Sequence, residues 1–411
     1  MKILQVIPYF EWSYGGPVRV LYEISRELTK RGHDVTIYTT DVGRRNPLTE
    51  KQKIRFDSNP KIHYFKCQNN WVANKLKLNI AFQMRSAIKD NLKDFDVVHL
   101  HEPRGIHSLI VWYYTKNNIP YVLQAHGVLP KTIPGQNFVV VCLKIIFDII
   151  FGNSIVRDAS KVIALTKTEA EQYREMGVHD EKIAIIPNGI DLSDYADLPS
   201  KGEFKKKFNI PEDKKIILYV GRIHRSKGID LLLKAFAYLS NKMKCKDALL
   251  VVAGPNDGYL HEVKSLSASL VISNSVLFTG LISNKDKISA YVDSRMVVNV
   301  EPRNVFGLVP LEAAACLTPV IISKGNAISN VVHRGKFGFS VKYSKVNGLA
   351  KTMRMLLNDK NLAKEMGQKG RKYIFENYNW NNSIIKLEKV YEEVANENQS
   401  RARIVNQIEE L

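Results

Sequence analysis

Short apolar runs alternate with amphipathic helical patterns along most of this chain, and this alternation constrains the fold more than any other feature. Residues 3–7 form the first apolar run, a helical pattern then begins at Pro17 and stops at Gly32, and DVTIYTT follows at 34–40. A strand, a helix and a strand in this order predict a parallel sheet, because parallel neighbours need a crossover connection. Similar strand runs follow at 96–101, 119–127, 161–166 and 182–189.

The alternation lapses after residue 190, in a stretch rich in proline, glycine and charged residues. A second series of strand runs follows it, at 215–221, 249–254, 275–280, 296–300 and 318–323. Because 411 residues exceed the usual size of one hydrophobic core, we predict two doubly wound α/β domains in tandem. We expect the N-terminal domain over 1–195 and the C-terminal domain over 196–379. An amphipathic helix within 380–411 is expected to complete the N-terminal domain.

The composition favours an anionic partner. Lys and Arg total 60 against 41 Asp and Glu, and the formal net charge of +19 suits a phosphorylated metabolite, an anionic membrane face or nucleic acid. The four cysteines are widely spaced, as free thiols in a reducing compartment would be. The sequence does not open with a signal-peptide pattern, and its most apolar segment, 138–151, is interrupted by Lys144 and Asp148 and is shorter than the ~20 residues of a membrane span. We therefore expect a cytoplasmic protein without a transmembrane helix.

The segment VGRIHRSKGIDLLLKAF, at 220–236, carries the strongest local signal for anion binding. It places a glycine turn and three cationic residues between a strand and an amphipathic helix. Backbone N–H groups and the side chains of Arg222 and Lys227 are therefore expected to face a diphosphate that lacks a metal ion. A solvated basic turn is the alternative. The sequence has no G-x-G-x-x-G fingerprint, which argues against NAD or FAD as a cofactor.

A second segment, NVFGLVPLEAAACLTPVI at 304–321, leads from a glycine-bearing loop into a helix. We expect this helix to begin near Pro310 and to carry Glu312 in its first turn. An acid there either stabilises the helix dipole or accepts hydrogen bonds from the cis-diol of a ribose, and the residues alone favour neither. The backbone N–H groups expected to meet phosphate oxygens are those of Phe306, Gly307 and Leu308.

Seven motifs, in this order and spacing, resemble those of the family 4 glycosyltransferases, which have the GT-B fold. The resemblance extends over essentially the whole chain. The motifs are GGPVRVLYEISRELTKRGHDVTIYTT at 15–40, AHG at 125–127, PNGID at 187–191, VGRIHRSKGID at 220–230, AGP at 253–255, TG at 279–280 and FGLVPLEAAA at 306–315.

The resemblance implies two Rossmann-like domains that face a central cleft and transfer a sugar with retention at the anomeric carbon. It implies a nucleotide-sugar donor, such as a UDP- or GDP-sugar, on the C-terminal domain and a glycan or lipid-linked acceptor on the N-terminal domain, without a metal or another cofactor. Gly16 would lie near the donor phosphates and the acceptor, and His126 near the transferred sugar. Arg222 and Lys227 would hold the diphosphate, and Glu312 the ribose hydroxyls. Fixed cations such as these stabilise the negative charge that develops on a departing diphosphate.

The chain departs from the family pattern at one position of the donor site. The family places a Glu eight residues before the equivalent of Glu312, where this sequence has Asn304, and Glu301 lies three residues too early. An Asn amide can both donate to and accept from a sugar hydroxyl, so we expect Asn304 to contact the donor sugar. Leu317 also replaces the Gly that commonly follows the helix, and we expect a locally adjusted turn there.

A basic segment suggests where the N-terminal domain meets its acceptor. Residues 51–93 carry a local balance of +8, with Trp71 and Phe82 among the cations. Such a surface suits docking on anionic lipid at the inner face of the cell membrane, where a lipid-linked acceptor of polysaccharide or glycoconjugate synthesis is presented. A solvated helix face is the alternative. His99 and His101 would share a strand face, but without a suitably spaced third ligand we expect polar groups of the cleft and not a metal site.

Three function classes therefore compete. A retaining glycosyltransferase is favoured by the order of the motifs. A sugar-nucleotide 2-epimerase of the same fold is disfavoured by VGRIHRSKGID and FGLVPLEAAA. A catalytically weak nucleotide-sugar-binding protein is suggested by Asn304. We expect no nucleic-acid partner, because the diphosphate site accounts for the charge and no nucleic-acid-binding motif occurs in the sequence.

Overall fold

The computed structural model describes residues 1–43, 46–57, 59–76, 79–116, 119–130, 138–301 and 306–409. Within these ranges the chain divides into two compact units. The first unit holds the residues up to Gly189 together with the segment from Trp380 onward, and the second holds Ile190–Asn379. The sequence analysis placed this boundary a few residues later, between 195 and 196.

A parallel sheet of seven strands forms the centre of the first unit. The strands are β1 (Lys2–Val6), β2 (Asp34–Thr40), β3 (Lys61–Phe65), β4 (Val97–His101), β5 (Tyr121–Gln124), β6 (Lys161–Ala164) and β7 (Ile183–Ile185). They are arranged in the order β3-β2-β1-β4-β5-β6-β7. The helices that connect them are α1 (Gly16–Lys30), α2 (Asn70–Leu76), α3 (Phe82–Asn91), α4 (Ile106–Thr115), α5 (Phe138–Phe147), α6 (Asn153–Arg157) and α7 (Lys167–Glu175).

Helices cover both faces of this sheet, which explains why its central strands are almost entirely buried and largely apolar. On one face α1 buries Val20, Ile24 and Leu28, which recur at helical spacing, against the sheet. On the other face α3, α4, α6 and α7 contribute to a second cluster of buried side chains, which includes Met84, Val111, Ile155, Val156 and Tyr173.

The second unit is built around a parallel sheet of six strands. They are β8 (Lys215–Val220), β9 (Ala248–Ala253), β10 (Val276–Gly280), β11 (Ser294–Asn299), β12 (Val320–Ser323) and β13 (Gly338–Val341), in the order β10-β9-β8-β11-β12-β13. The helices of this unit are α8 (Glu203–Lys207), α9 (Ile229–Ala237), α10 (Leu260–Ser269), α11 (Asn284–Asp293), α12 (Leu308–Ala315), α13 (Ser329–Gly335), α14 (Val346–Asn358) and α15 (Lys360–Asn377).

The last helix, α16 (Trp380–Glu409), belongs to the first unit. It buries Ile384, Leu387 and Tyr391 beside Val20 and Ile24 of α1. The predicted doubly wound α/β fold is confirmed, and so is the packing of the C-terminal helix on the N-terminal domain.

Two strands, β3 and β13, are not predicted by the sequence pattern. Each lies at an edge of its sheet and is only partly buried. An edge strand has fewer neighbours to cover it, so its sequence does not carry the continuous apolar run by which the central strands were recognised.

Candidate active site

The glycine turn after β8 lies where two strand ends approach very closely. Gly221 has a φ of 150° and Gly254, after β9, a φ of 152°. A Cβ on Gly254 would lie 1.9 Å from the carbonyl oxygen of Gly221. Any side chain there would collide with the backbone, so glycine at Gly254 is what allows the two turns to sit side by side at the carboxyl edge of the sheet.

Arg222 follows this turn and is held by a carboxylate that the sequence analysis did not identify. Its guanidinium pairs with Asp257, in the loop after β9. The Tyr219 hydroxyl donates to the Arg222 carbonyl oxygen at 3.0 Å, which fixes the backbone as well. The Arg222 side chain keeps 38% of its surface exposed, so an arginine with five N–H donors is oriented by one partner and still accessible to another.

Lys227 is held in a comparable way by Glu301. The Lys227 ammonium lies 2.8 Å from a carboxylate oxygen of Glu301, whose side chain is buried. Gly228, next in the chain, has a φ of 68°, and a Cβ on it would lie 2.4 Å from the Val300 carbonyl oxygen. Glycine therefore permits the turn of Lys227 to rest against the end of β11. Glu301, set aside because its spacing from Glu312 is wrong, is the partner of a predicted diphosphate ligand.

Glu312 lies in the second turn of α12, not in the first, because the helix begins at Leu308 and not near Pro310. Its position therefore does not suit a role as a helix-end charge. One carboxylate oxygen accepts from the Lys287 ammonium at 2.9 Å and the other from the Tyr291 hydroxyl at 2.8 Å. These two donors therefore fix the orientation of the Glu312 carboxylate, whose oxygens are hydrogen-bond acceptors only.

Lys287 and Tyr291, which the sequence analysis also missed, lie four residues apart on α11 and thus on one helix face. Burial, and then the negative charge of Glu312, raise the pKa of Tyr291 well above its ordinary value. Tyr291 therefore stays a neutral hydrogen-bond donor at physiological pH.

The backbone around Phe306, Gly307 and Leu308 precedes α12, as predicted. Gly307 is the N-cap residue, and among the described residues no side chain caps the helix. The N–H groups of the first turn are thus available to an anion. Asn304 lies outside the described residues, so its expected contact with the donor sugar stays a prediction. Leu317 has a φ of 62°, so the turn after the helix keeps the left-handed conformation and the expected adjustment does not occur.

In the first unit, His126 occupies a strained turn after β5. His126 and Gly127 have φ values of 52° and 82°. Glu169, at the start of α7, holds this turn: its buried carboxylate accepts from the N–H groups of Gly127, at 2.9 Å, and Leu165, at 2.7 Å. Burial outweighs these hydrogen bonds and raises the pKa of Glu169 to about 7. The sequence signal was Thr166-x-x-Glu169, which is typical of a helix start and gave no reason to expect a contact with His126's turn.

The His126 ring belongs to a row of imidazoles. Its Nε2 lies 2.7 Å from Nδ1 of His101, whose Nε2 lies 2.6 Å from the Gln5 side-chain oxygen. His99 lies alongside, with ring centroids 4.1 Å from His101, and its Nδ1 lies 2.6 Å from the Tyr391 hydroxyl. Burial lowers the pKa of His126 to about 3. His126 is therefore neutral at physiological pH and acts through hydrogen bonds, not through positive charge.

Gly16 begins α1 beside Gly15, whose φ of 85° requires glycine. Among the described residues, no heavy atom lies within 4 Å of the position that a Cβ on Gly16 would take. The helix N-terminus is therefore open to a ligand. Over the described part of the chain, no group of three or more His, Cys, Asp or Glu side chains gathers as metal ligands would.

Two parallel-sheet Rossmann-like domains, the second with a cationic glycine turn and a carboxylate-bearing helix, have the architecture of the GT-B glycosyltransferases. Residues 14–194 match Glycosyltransferase Family 4, and residues 200–373 match Glycosyl transferases group 1. The chain belongs to this glycosyltransferase family, and the resemblance seen in its motifs is confirmed.

Relatives and solved structures agree with this assignment. The chain is 25% identical over 386 residues to N-acetyl-alpha-D-glucosaminyl L-malate synthase of Bacillus anthracis, covering 93% of this chain and 95% of the relative. It is 27% identical to a D-inositol 3-phosphate glycosyltransferase of Streptomyces bingchenggensis, over 60% of this chain and 55% of the relative. The fold is similar to that of Anabaena HepE in complex with UDP and glucose, with a TM-score of 0.75 at 17% identity, over 96% of this chain and all of the other.

Proposed function

We propose that this glycosyltransferase moves a sugar, with retention, from a nucleoside diphosphate sugar to a glycan or lipid-linked acceptor and needs no metal ion. The observation that carries the proposal is the pair of oriented cations at one sheet edge, Arg222 held by Asp257 and Lys227 held by Glu301. Two fixed cations beside a helix N-terminus are suited to a diphosphate, and they replace the charge that a divalent cation would otherwise supply.

The proposed chemistry uses these residues in distinct roles. Glu312 accepts hydrogen bonds from the ribose hydroxyls, oriented by Lys287 and Tyr291. As the bond between the anomeric carbon and the phosphate oxygen breaks, the electron pair leaves with the diphosphate, and Arg222 and Lys227 stabilise the charge that develops. The acceptor oxygen forms the new bond to the anomeric carbon, and its proton passes to the departing diphosphate.

His126 has a separate role in the proposal. As a neutral imidazole fixed by His101, it hydrogen-bonds the transferred sugar without adding charge to it. Gly16 leaves the N-terminus of α1 open to the acceptor and the donor phosphates. Asn304 is proposed to contact the donor sugar.

The names of similar proteins support a nucleotide-sugar donor. HepE of Anabaena, similar in fold, has been solved with UDP, with UDP and glucose, and with UDP-glucose. The two relatives named above are, by name, a glucosaminyl malate synthase and an inositol phosphate glycosyltransferase, so relatives differ in their acceptors.

For the acceptor and the location, we propose polysaccharide or glycoconjugate synthesis at the cytoplasmic face of the membrane. Trp71 and Phe82, within the basic segment 51–93, are each 64% exposed, as a docking surface would require. Lys53 and Arg55 of this segment pair with Glu50, however, so its available charge is smaller than +8. The support from this segment is therefore weaker than its sequence indicated.

A panel of UDP-, GDP- and ADP-sugars tests the donor. A ligand at ~100 times its dissociation constant adds ~2.7 kcal/mol of stability, so the true donor should raise the melting temperature and the others should not. Transfer of the selected sugar to extracted lipid or glycan acceptors should then proceed equally in EDTA and in Mg²⁺. Activity that is lost in EDTA and restored by Mg²⁺ or Mn²⁺ would overturn the metal-independent mechanism.

A further inference from the structure

The most apolar surface of the first unit is one helical segment. Helix α5, a π-helical stretch at Asp148–Gly152 and helix α6 form a continuous helix over Phe138–Arg157. The helix extends six residues beyond the apolar segment 138–151, and at 20 residues it is long and apolar enough, by length and composition alone, to cross a membrane. We call its outer side the apolar helix face, which consists of Phe138, Val139, Leu143, Ile146, Ile149, Ile150 and Phe151.

The apolar helix face is exposed to solvent, which is unusual for the apolar side of a helix in a packed domain. Phe138 is 79% exposed and Ile149 is 69% exposed, whereas the charged Asp148 is buried. Asp148 receives two hydrogen bonds of 2.7 Å from the Arg104 guanidinium. A helix on a domain surface ordinarily buries its apolar side and exposes its charged side chains. In this helix the charged Asp148 is buried, whereas isoleucines such as Ile149 are exposed.

This helix cannot leave the domain to span a bilayer. Ile155 and Val156 are fully buried in the same cluster as side chains of the central sheet. The chain reaches the helix from β5 and returns directly to β6, two adjacent strands of one sheet. The segment is therefore fixed along the surface of the unit, with its outer side exposed.

A second copy of the chain and an anionic bilayer are the two simplest partners for this face, and the net charge of the chain favours the bilayer. The formal net charge of +19 repels a second copy of the chain and attracts an anionic bilayer. Helix α4, which packs against α6, exposes the aromatic ring of Tyr113 and is followed by the exposed Lys116. Helix α3, which packs against α4, exposes Arg85 and Lys89. Apolar side chains flanked by exposed aromatic and basic residues are typical of surfaces that lie in the headgroup region.

We infer that the apolar helix face inserts into the headgroup and upper acyl region of an anionic bilayer and holds the first unit at the membrane. This inference extends the membrane location proposed above and assigns the main contact to 138–151 instead of to the basic segment 51–93. Binding to lipid needs neither donor nor acceptor, so its test is independent of transferase activity.

The test compares two variants of the full chain by cosedimentation with vesicles of phosphatidylglycerol and phosphatidylcholine. Ile146→Asn combined with Ile150→Asn removes two exposed side chains of the face, and Leu281→Asn removes a 78% exposed leucine of the second unit as a matched control. We expect the double variant to partition at least tenfold more weakly than wild type and the control to bind like wild type. All substituted side chains are exposed, and equal melting temperatures will verify that both variants fold.

A second measurement reports insertion directly. Phe138→Trp should be quenched by brominated lipid in anionic vesicles, and Leu281→Trp should be quenched no more than wild type. Wild-type binding that the double variant retains would overturn the inference, as would absence of wild-type binding to anionic vesicles. A wild-type dimer that the double variant loses, without vesicle binding, would assign the face to a second copy instead.

Discussion

The two units place different chemistry at the same point of the same fold. In each sheet the strand order reverses between two neighbours, β1 and β4 in the first unit and β8 and β11 in the second, and ligands of doubly wound folds bind at such a point. In the second unit an ion pair, Lys227 with Glu301, bridges the two strand ends. In the first unit the bridge between β1 and β4 is the hydrogen bond between Gln5 and His101.

The second unit thus offers oriented, partly exposed cations that suit an anion, and the first unit offers neutral imidazoles. His99 and His101 are buried and His126 is partly exposed, and desolvation lowers the pKa of His99 and of His126 to about 3. A donor that carries a diphosphate is matched by the charged site, and a sugar or acceptor hydroxyl by the neutral one.

The strongest test of this contrast removes a cation from the second unit. Lys227→Ala and Arg222→Ala should each lower the transfer rate by 10²–10³-fold, about 2.7–4 kcal/mol, because charge on the departing diphosphate loses a fixed partner. Single-turnover rates with saturating donor measure the loss. Lys234→Ala is the matched control and should transfer like wild type, because Lys234 is exposed and its partner Asp230 lies 3.7 Å away on the same helix. Wild-type rates in both site variants would remove the diphosphate assignment.

The second test concerns the buried carboxylate of the first unit. The pKa of Glu169 is raised from 4.5 to about 7, so the stability that its protonated form contributes is fully present below pH 4.5 and is lost as the pH rises through 7. Glu169→Gln does not titrate, and its free energy of unfolding should therefore fall less than that of wild type between pH 5 and pH 8, by about 1–3 kcal/mol. Urea unfolding at several pH values measures this difference.

Activity separates a positioning role of Glu169 from a purely structural one. Because Glu169 holds the N–H group of Gly127, its ionisation should alter the turn that carries His126, and the pH dependence of the transfer rate near pH 7 should be absent in Glu169→Gln. Glu171→Gln, on the exposed side of the same helix, should keep the wild-type profile. An unchanged profile in Glu169→Gln would confine this residue to stability.

The sequence predicted the parts of this architecture that depend on local pattern. Apolar runs and glycine turns identified the central strands, and the motif order predicts a site at Arg222, Lys227 and Glu312. The partners that orient them escaped because they come from other strands and helices: Asp257 lies 35 residues from Arg222, and Glu301 lies 74 residues from Lys227. Only the folded sheet brings such residues together. Composition also could not show that the apolar side chains of 138–151 are exposed, because the sequence of an apolar helix is similar whether the helix is buried or lies on the surface.

A smaller effect is expected from the hydroxyl that orients Glu312. Tyr291→Phe removes one hydrogen bond to the carboxylate and leaves the ring in its buried place. Donor affinity should fall by about 0.5–1.5 kcal/mol, since the ribose loses an oriented acceptor and not a charge. Calorimetric titration with the nucleoside diphosphate measures it, and Tyr113→Phe, exposed in the first unit, is the control. An effect as large as that of Lys227→Ala would contradict the separation of roles.

Backbone strain gives the final comparison, because each unit holds a non-glycine residue in the left-handed region, at the candidate site in the first unit and after helix α12 in the second. His126 has a φ of 52° and Leu317 a φ of 62°. Leu317 is 43% exposed, and glycine there should relieve strain at little loss of packing, so Leu317→Gly should stabilise the protein by up to about 1 kcal/mol without changing transfer. Val271→Gly should have the same effect, because Val271 has a φ of 56° and is more exposed than Leu317.

His126→Gly should instead lower the transfer rate. The unfavourable backbone conformation of His126 places its imidazole at the candidate site, and glycine would remove that imidazole. Thermal unfolding and transfer rates of the three variants decide the matter, and a Leu317→Gly variant that unfolds more easily would show that the leucine side chain outweighs its strained backbone.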